Sequence, residues 1–500
     1  DDTDETYVHL LDAFARIPPF HLGLKGNLFP NLRTLEWIAP NEASLIERSI
    51  LFMHSGIQTL VLGLPPIYLH TRPTASLAAF VDHVIDCMPY IMHLSVAMHG
   101  YMSAVESHLL HLVKGLSTTL VSLEVPRFWV TTALFETLST FPRFRTLQAS
   151  HRVLGVYDPS RRFLPAIPRD TSPWRSLERL HLGASFEEVE TLLRTHALPS
   201  SLVELFVYTP RLEPRRAVRS LCAFIAERCS TLQCLMLGKC HARQLEQTLR
   251  PTLAECPSID DLLPLFSALP GLIEFAFHHE FPLVFPESKV QAIAKRLRNI
   301  VYLDLNPSPD YEASGYAPTD FPSLKCIPVL GRYCPNLQEL GVYVSMENGS
   351  TEGMDVFAMQ PLDYLAELTI GGPGSIGMAI DDVLLFLSKV LYVGCQVVSA
   401  SVHRARGVPR AVAEARDTFW RRVNERLPVV IKARVEEAKM IAKLYDVIEM
   451  AEAELKRIGG SLSMFQVLDG IQGDEDDEGN DRVFVEGCTA GPPPLVSHSL

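Results

Sequence analysis

At 500 residues the chain exceeds what one compact core of about 100–200 residues needs, so it is either several domains or a repeat array. Hydrophobic residues at 47% and charged residues at 21% exclude wholesale disorder. A formal net charge of −13, from 45 Lys+Arg against 58 Asp+Glu, disfavours general nucleic-acid binding, because a surface of that sign repels phosphate.

The first five residues, Asp1 to Glu5, lack the basic start and apolar stretch of a secretory signal, and no initiator Met is present, so further residues are expected upstream. Residues 1–28 are read as an N-terminal helix or cap, with Tyr7, Leu10, Leu11 and Phe14 on one side. From residue 29 a spacing of the form apolar-x-x-apolar-x-apolar recurs twelve times. It runs from Leu32/Leu35/Trp37 and Ile57/Leu60/Leu62, through Leu202/Leu205/Val207, to Leu365/Leu368/Ile370. Successive units start about 30 residues apart on average. Within each unit the last two apolar positions alternate as on a strand. Between units, sets such as Leu77/Phe80/Val81/Val84, Val218/Leu221/Cys222/Ile225 and Val290/Ile293/Ala294/Leu297 carry helical spacing. Strand, return segment and strand at this period predict right-handed crossovers and one continuous parallel sheet. A Pro often precedes the next strand, as in Phe141-Pro142-Arg143-Phe144 and Cys334-Pro335-Asn336-Leu337, where it stops the preceding helix.

Past the units, a helix from Ile380 leads to a last strand within 395–402. Residues 410–427 and 429–457 read as two helices divided by Pro428, the first with an apolar stripe of Phe419, Trp420, Val423 and Leu427 that would cap the stack. The second is more charged, with Glu452 and Lys456 in the favourable i,i+4 order, and a projecting partner surface is the less favoured reading of it. Residues 459–500, with the acidic run after Gly473 and Pro492 to Pro494, read as a disordered acidic and proline-rich tail. The longest apolar run, 383–398, carries Lys389 and falls short of a membrane span. The expectation is therefore a soluble protein of the cytoplasm or nucleus. Ten cysteines without a CxxC pair read as reduced thiols, in agreement with that location.

The Phe29-to-Trp37 segment, the irregular repeats, Tyr333-Cys334-Pro335-Asn336-Leu337-Gln338-Glu339-Leu340 and the stretch 411–437 resemble the leucine-rich repeat family, and more narrowly fungal F-box/leucine-rich repeat-like proteins. The resemblance implies an α/β leucine-rich repeat solenoid, a horseshoe with a parallel concave β-sheet, convex helices and C-terminal helices. The repeat domain would span 29–403 and the C-terminal helices 404–458. The family's ninth repeat position is usually Asn or Cys. Here it is Cys240 once, but Pro40, Phe128, Ser185, Pro210, Glu280, Ser308 and Ser345 elsewhere, so turns of varied shape are expected. No F-box is recognisable in the chain, and one would have to lie upstream.

Four patterns point towards chemistry. Gly372-Pro373-Gly374-Ser375-Ile376-Gly377 has GxGxxG spacing, but Pro373 removes an amide donor and no acid stands about 20 residues on, so it is read as an inter-repeat loop. Cys229, Cys234, Cys240 and His241 form the densest set of soft ligands, yet the repeat register explains them without metal. His108/His111 and His278-His279-Glu280 lack an HExxH continuation and are read as surface or partly buried histidines. No metal, cofactor or catalytic residue is assigned, and the chain is read as a non-enzyme.

The third and fifth places of each unit leave the sheet opposite the core. They define the candidate binding face: Glu36, Glu124, Arg179, His181, Glu204, Phe206, Met236, Glu274, Tyr302, Asp304, Glu339 and Glu367. Seven acids and one Arg make it electronegative, with Phe206, Met236 and Tyr302 as apolar anchors and a basic protein segment as the expected partner. Reversing Glu204, Glu274 and Glu339 to Lys is expected to weaken partner binding and to leave thermal stability nearly unchanged. Through the resemblance, the function is substrate recognition for a cullin-RING ubiquitin ligase, with a Skp-family adaptor reached only through an upstream F-box. The alternatives are a leucine-rich repeat scaffold without a ubiquitin role and a Ran-type GTPase activator.

Overall fold

A computed structural model describes the chain between residues 29 and 457. Residues 1–28, 39–48, 65–73, 151–154, 164–173, 196–198, 240–251, 312–316, 347–361, 373–376, 401–409 and 458–500, with 99, 162 and 253, lie outside the described residues. The expected N-terminal helix and acidic tail, Cys240 with His241, and the middle of the GxGxxG segment fall there. The chain divides into two compact units, 1–432 and 433–500.

The first unit is organised by thirteen strands in one sheet, each paired in parallel with the next in chain order. They are β1 (Thr34–Ile38), β2 (Thr59–Leu64), β3 (His93–Met98), β4 (Ser122–Val125), β5 (Thr146–Ala149), β6 (Arg179–Leu182) and β7 (Glu204–Thr209), followed by β8 (Cys234–Lys239), β9 (Glu274–His278), β10 (Tyr302–Leu305), β11 (Glu339–Tyr343), β12 (Glu367–Gly371) and β13 (Gln396–Ser399). Every one of the twelve spaced units carries a strand, and β13 lies within 395–402. The register keeps like positions level. Leu60 faces Leu94, Leu94 faces Leu123, Leu205 faces Leu235 and Leu340 faces Leu368. Equal register lets the two inward positions of each strand form continuous apolar rows, which is why a loose repeat length does not break the core.

Those rows meet the helices α1 (Thr74–Cys87), α2 (Glu106–Gly115), α3 (Thr132–Ser139), α4 (Phe186–Thr195), α5 (Arg215–Arg228), α6 (Ile259–Ala268), α7 (Glu287–Ala294), α8 (Cys326–Tyr333) and α9 (Ile380–Val390). One buried cluster joins strand residues such as Leu60, Leu147 and Leu303 to helix residues such as Val84, Leu134, Leu221 and Leu387. The sheet therefore has a helix-covered face and a helix-free face. This is the architecture of a leucine-rich repeat solenoid.

Turn chemistry differs from repeat to repeat. Ser185, ninth in its unit, exchanges bonds with Glu188: its amide donates to Glu188 Oε2 at 2.8 Å and its Oγ accepts from the Glu188 amide at 3.4 Å, a reciprocal cap on α4. Ser258 and Asp261 do the same for α6. Between β5 and β6 Trp174 does the packing, fully buried with its ring 4.6 Å from Phe135 and 6.0 Å from Phe144. Its φ of 59° is a left-handed conformation that a bulky residue rarely adopts, held here by a hydrogen bond from its backbone N–H to Ser139 O and by the aromatic cluster.

One expectation is corrected. Residues 410–457 form a single helix, α10 (Arg410–Arg457), with Pro428 inside it. A proline costs about 3 kcal/mol in a helix interior, since it lacks the N–H and crowds the preceding turn. Trp420, Val423, Leu427 and Ile431 are all buried in the repeat core, so the packed stripe continues on both sides of the proline. Burial at roughly 1.5–3 kcal/mol per large side chain exceeds the proline penalty. The Asn424 side-chain amide also donates to Val397 O, tying the helix to β13.

Candidate functional site

The helix-free face is built from two rows, because odd positions of level parallel strands fall side by side. The first runs Thr34, Thr59, His93, Ser122, Thr146, Arg179, Glu204, Cys234, Glu274, Tyr302, Glu339, Glu367, Gln396. The second places Glu36 beside Val61, Ser95 beside Glu124, and His181, Phe206, Met236, Ala276, Asp304, Gly341 and Thr369 in succession. The sequence-derived residues are thus brought to one face, which divides into three parts.

Over β1–β5 Thr34, Thr59, Ser95, Ser122 and Thr146 put hydroxyls on the face, with Glu36 and Glu124 as its acids. Its Glu124 accepts a bond from Ser95 Oγ at 2.8 Å.

Over β6–β8 the charges are internally satisfied. Glu204 Oε1 lies 2.6 Å from His181 Nε2 and Glu204 Oε2 lies 3.6 Å from Arg179 Nε. His181 is buried and stacks on Phe206 at 4.3 Å between ring centres. Phe206 is itself buried with Ala149 and Tyr208, with Cys234 and Met236 against them, and the Arg127 guanidinium sits 4.5 Å over the Tyr208 ring. Glu204 is consequently a structural carboxylate, and Phe206 forms the floor of the face instead of an exposed anchor. These cross-strand contacts leave Glu204 and Phe206 less open to a partner than their places in the rows imply.

Over β9–β12 the charges are not balanced. Glu274, Tyr302, Glu339 and Glu367 stand in one row on four adjacent strands, with Asp304 beside them in the second row. Strands about 4.8 Å apart hold these groups within mutual range. The Glu339 carboxyl is raised above its ordinary value by burial and by Glu367 and Glu274. Asp304 is raised by burial, opposed by His278, whose Nδ1 lies 3.9 Å away. The Tyr302 hydroxyl is pushed up by burial and then by Asp304, Glu339, Glu367 and Glu274. Burial is the largest cause of all three shifts, and neighbouring carboxylates push each of them further the same way. The two rows of β9–β12 contain no Lys or Arg. Gly341 deepens the patch, since a Cβ there would stand 3.0 Å from the Asp304 carboxyl.

Sequence reasoning missed the seventh places. Several strands run one or two residues beyond the apolar spacing, adding Tyr208, His278 and Tyr343 to the same face, and continued alternation is the signal that would have included them. It also missed a buried polar node at the ends of β7–β10. His279 Nδ1 accepts from the Phe281 amide at 3.0 Å, so Nε2 carries the hydrogen and donates to Glu213 O at 2.8 Å. Burial lowers the imidazole to about 4 and raises the neighbouring Glu280 carboxyl to about 7. Lys239 pairs with Asp310 at 2.7 Å, and Asn306, with φ 55°, accepts from the His279 amide and donates to Phe281 O. Asn306 stands in the seventh place of its unit and there satisfies turn backbone groups, the role the sequence reading sought at the ninth.

Cys229 and Cys234, from the soft-ligand set, are thiols pushed up to about 12 by burial. Among the described residues no group of three His, Cys, Asp or Glu could hold a metal ion, and no helix is long and apolar enough to cross a membrane.

No protein-family profile and no curated protein matches the chain. Among solved structures, it is similar to the leucine-rich repeat-containing protein LegL7 from Legionella pneumophila, at 14% identity over 61% of this chain and 88% of that one, with a TM-score of 0.31. The fold stands on the chain's own thirteen-stranded sheet and its repeat register.

Proposed function

We propose that the protein is a repeat scaffold that binds a protein partner on the helix-free face of its sheet, and that the part over β9–β12 takes a basic polypeptide segment. The observation that carries this reading is the acidic patch of Glu274, Asp304, Glu339 and Glu367 around Tyr302, whose two rows hold no Lys or Arg. Like charges held together raise one another's free energy, and a Lys or Arg side chain entering the patch relieves that repulsion while stacking its stem on the Tyr302 ring. Parallel neighbours expose side chains and not free backbone edges on this face, so recognition is by charge and shape. Calorimetric titration with a Lys/Arg-rich peptide and a Glu-rich peptide of equal length tests it. The basic peptide binds, with affinity falling as salt rises, and the acidic one does not. Equal behaviour of the two peptides removes the charge-based reading.

The finer assignment, a substrate receptor of a cullin-RING ubiquitin ligase, is supported only by the sequence resemblance and requires an F-box joined to these repeats. Co-purification of the full gene product with a Skp-family adaptor supports it. Failure to recover the adaptor leaves the scaffold reading standing alone.

A further inference from the structure

The second unit contains the last part of α10, and the large apolar residues described there are exposed. Within 433–457, Met440 is 63% exposed, Leu444 61% and Val447 55%, with Ile441, Ile448 and Leu455 also exposed. Val435, Tyr445 and Met450 are exposed on other sides of the helix, but these six are not scattered. Ile441, Leu444, Ile448, Ala451 and Leu455 follow spacings of three, four, three and four, the repeat of a helix seam that packs against another helix, and Met440 and Val447 widen it on one side. An isolated surface helix in water has no reason to keep such a stripe, because polar residues there would cost nothing in packing.

Charge identifies what covers it. Before Leu444 the helix carries Lys432, Arg434, Lys439 and Lys443 against Glu436 and Glu437. From Leu444 to Arg457 it carries Asp446, Glu449, Glu452 and Glu454, with Lys456 and Arg457 only at its end, so this half stays net acidic. A lipid surface rich in anionic headgroups is repelled by that second half. A second copy laid parallel sets the acidic half against itself. A second copy laid antiparallel sets the basic half of each helix against the acidic half of the other, while Leu444 of one copy packs over Ile448 of the other and Ile441 over Ala451. Six aliphatic side chains with roughly 100 Å2 of exposed apolar surface each give about 1,200 Å2 for a pair, the lower end of the range for stable interfaces.

We propose that the protein self-associates as an antiparallel homodimer through residues 433–457 of α10. The pairing is reversible and concentration-dependent, as its area dictates, and it makes the chain bivalent, so that two binding faces act together on a repetitive or dimeric partner.

Sedimentation equilibrium of the full chain across micromolar concentrations tests it. The wild type passes from monomer to dimer. Leu444→Glu with Ile448→Glu weakens the dimer at least tenfold, and because both side chains are exposed the thermal unfolding of the repeats is unchanged. Orientation is read from the fourfold variant Asp446→Lys, Glu449→Lys, Glu452→Lys, Glu454→Lys. Antiparallel pairing then opposes base to base, and the dimer weakens at low salt and recovers at high salt. Parallel pairing exchanges one like-charge contact for another and leaves the dimer unchanged. A monomer at every concentration, a dimer indifferent to Leu444→Glu with Ile448→Glu, or a fourfold variant that dimerises like the wild type each overturns the proposal.

Discussion

Asp261 makes the strongest case for a single side chain that holds the repeats together. Its buried carboxylate accepts from the Ser258 amide at 2.9 Å and from Arg215 Nε and Arg219 Nε at 2.7 Å each, joining the start of α6 to α5 of the preceding repeat. Asp261→Ala removes a helix cap and leaves two guanidinium groups without their acceptor. With Arg219 largely exposed, the expected loss is about 2–4 kcal/mol in urea unfolding. Glu280 makes the complementary case through pH. Its native carboxyl, at about 7 against an ordinary 4.5, binds the proton more tightly than in the unfolded chain. Its contribution to stability is therefore full below pH 4.5 and lost as pH rises through 7. His279, lowered to about 4 from 6.5, acts oppositely: its contribution is full above pH 6.5 and lost as pH falls towards 4. The two slopes oppose each other between pH 4.5 and 6.5, so the wild type hides both. Glu280→Gln separates them. The variant matches the wild type near pH 4 and is more stable at pH 8 by on the order of 3 kcal/mol, measured by urea unfolding at both values. A variant less stable than the wild type at pH 8 would show that the ionised carboxylate is a needed partner of Lys239.

Among the elements, strands were the most legible because a spacing repeated twelve times averages out local exceptions, and each marked pair does alternate inward. Helices were less so. The segment from β5 to β6 carries no marked helical spacing, and only the three-dimensional neighbourhood of Phe135 and Phe144 shows that Trp174 fills the space. Pro428 misled for the opposite reason, since a local rule was overridden by burial of Leu427 and Ile431 on either side. This explanation predicts that Pro428→Ala restores an amide donor to the Asn424 carbonyl without disturbing the stripe. The melting temperature should rise, by roughly 1–3 kcal/mol of added stability, and amide exchange after residue 428 should slow. A lower melting temperature would mean that the proline bends α10 into a shape the core requires.

At the scale of the whole molecule, the formal charge of −13 is not spread evenly over the face that the repeats create. The face itself was legible from the third and fifth places, since alternation alone decides which side chains leave the sheet. Which of its charges are free was not legible, because Glu204 is neutralised by residues of the preceding strand, and that pairing depends on register and rotamer. Reversing Glu204 therefore disturbs the His181 and Phe206 packing and cannot serve as a clean probe. Glu274, Glu339 and Glu367 can. The most direct measurement is calorimetric binding of a Lys/Arg-rich peptide and a Glu-rich peptide to the full chain and to its variant Glu274→Lys, Glu339→Lys, Glu367→Lys, with thermal unfolding recorded for both. The account predicts that the variant keeps its melting temperature within a few degrees, loses at least tenfold in affinity for the basic peptide and gains binding to the acidic one. Undiminished binding of the basic peptide by a folded variant would contradict it and place the partner site off this face.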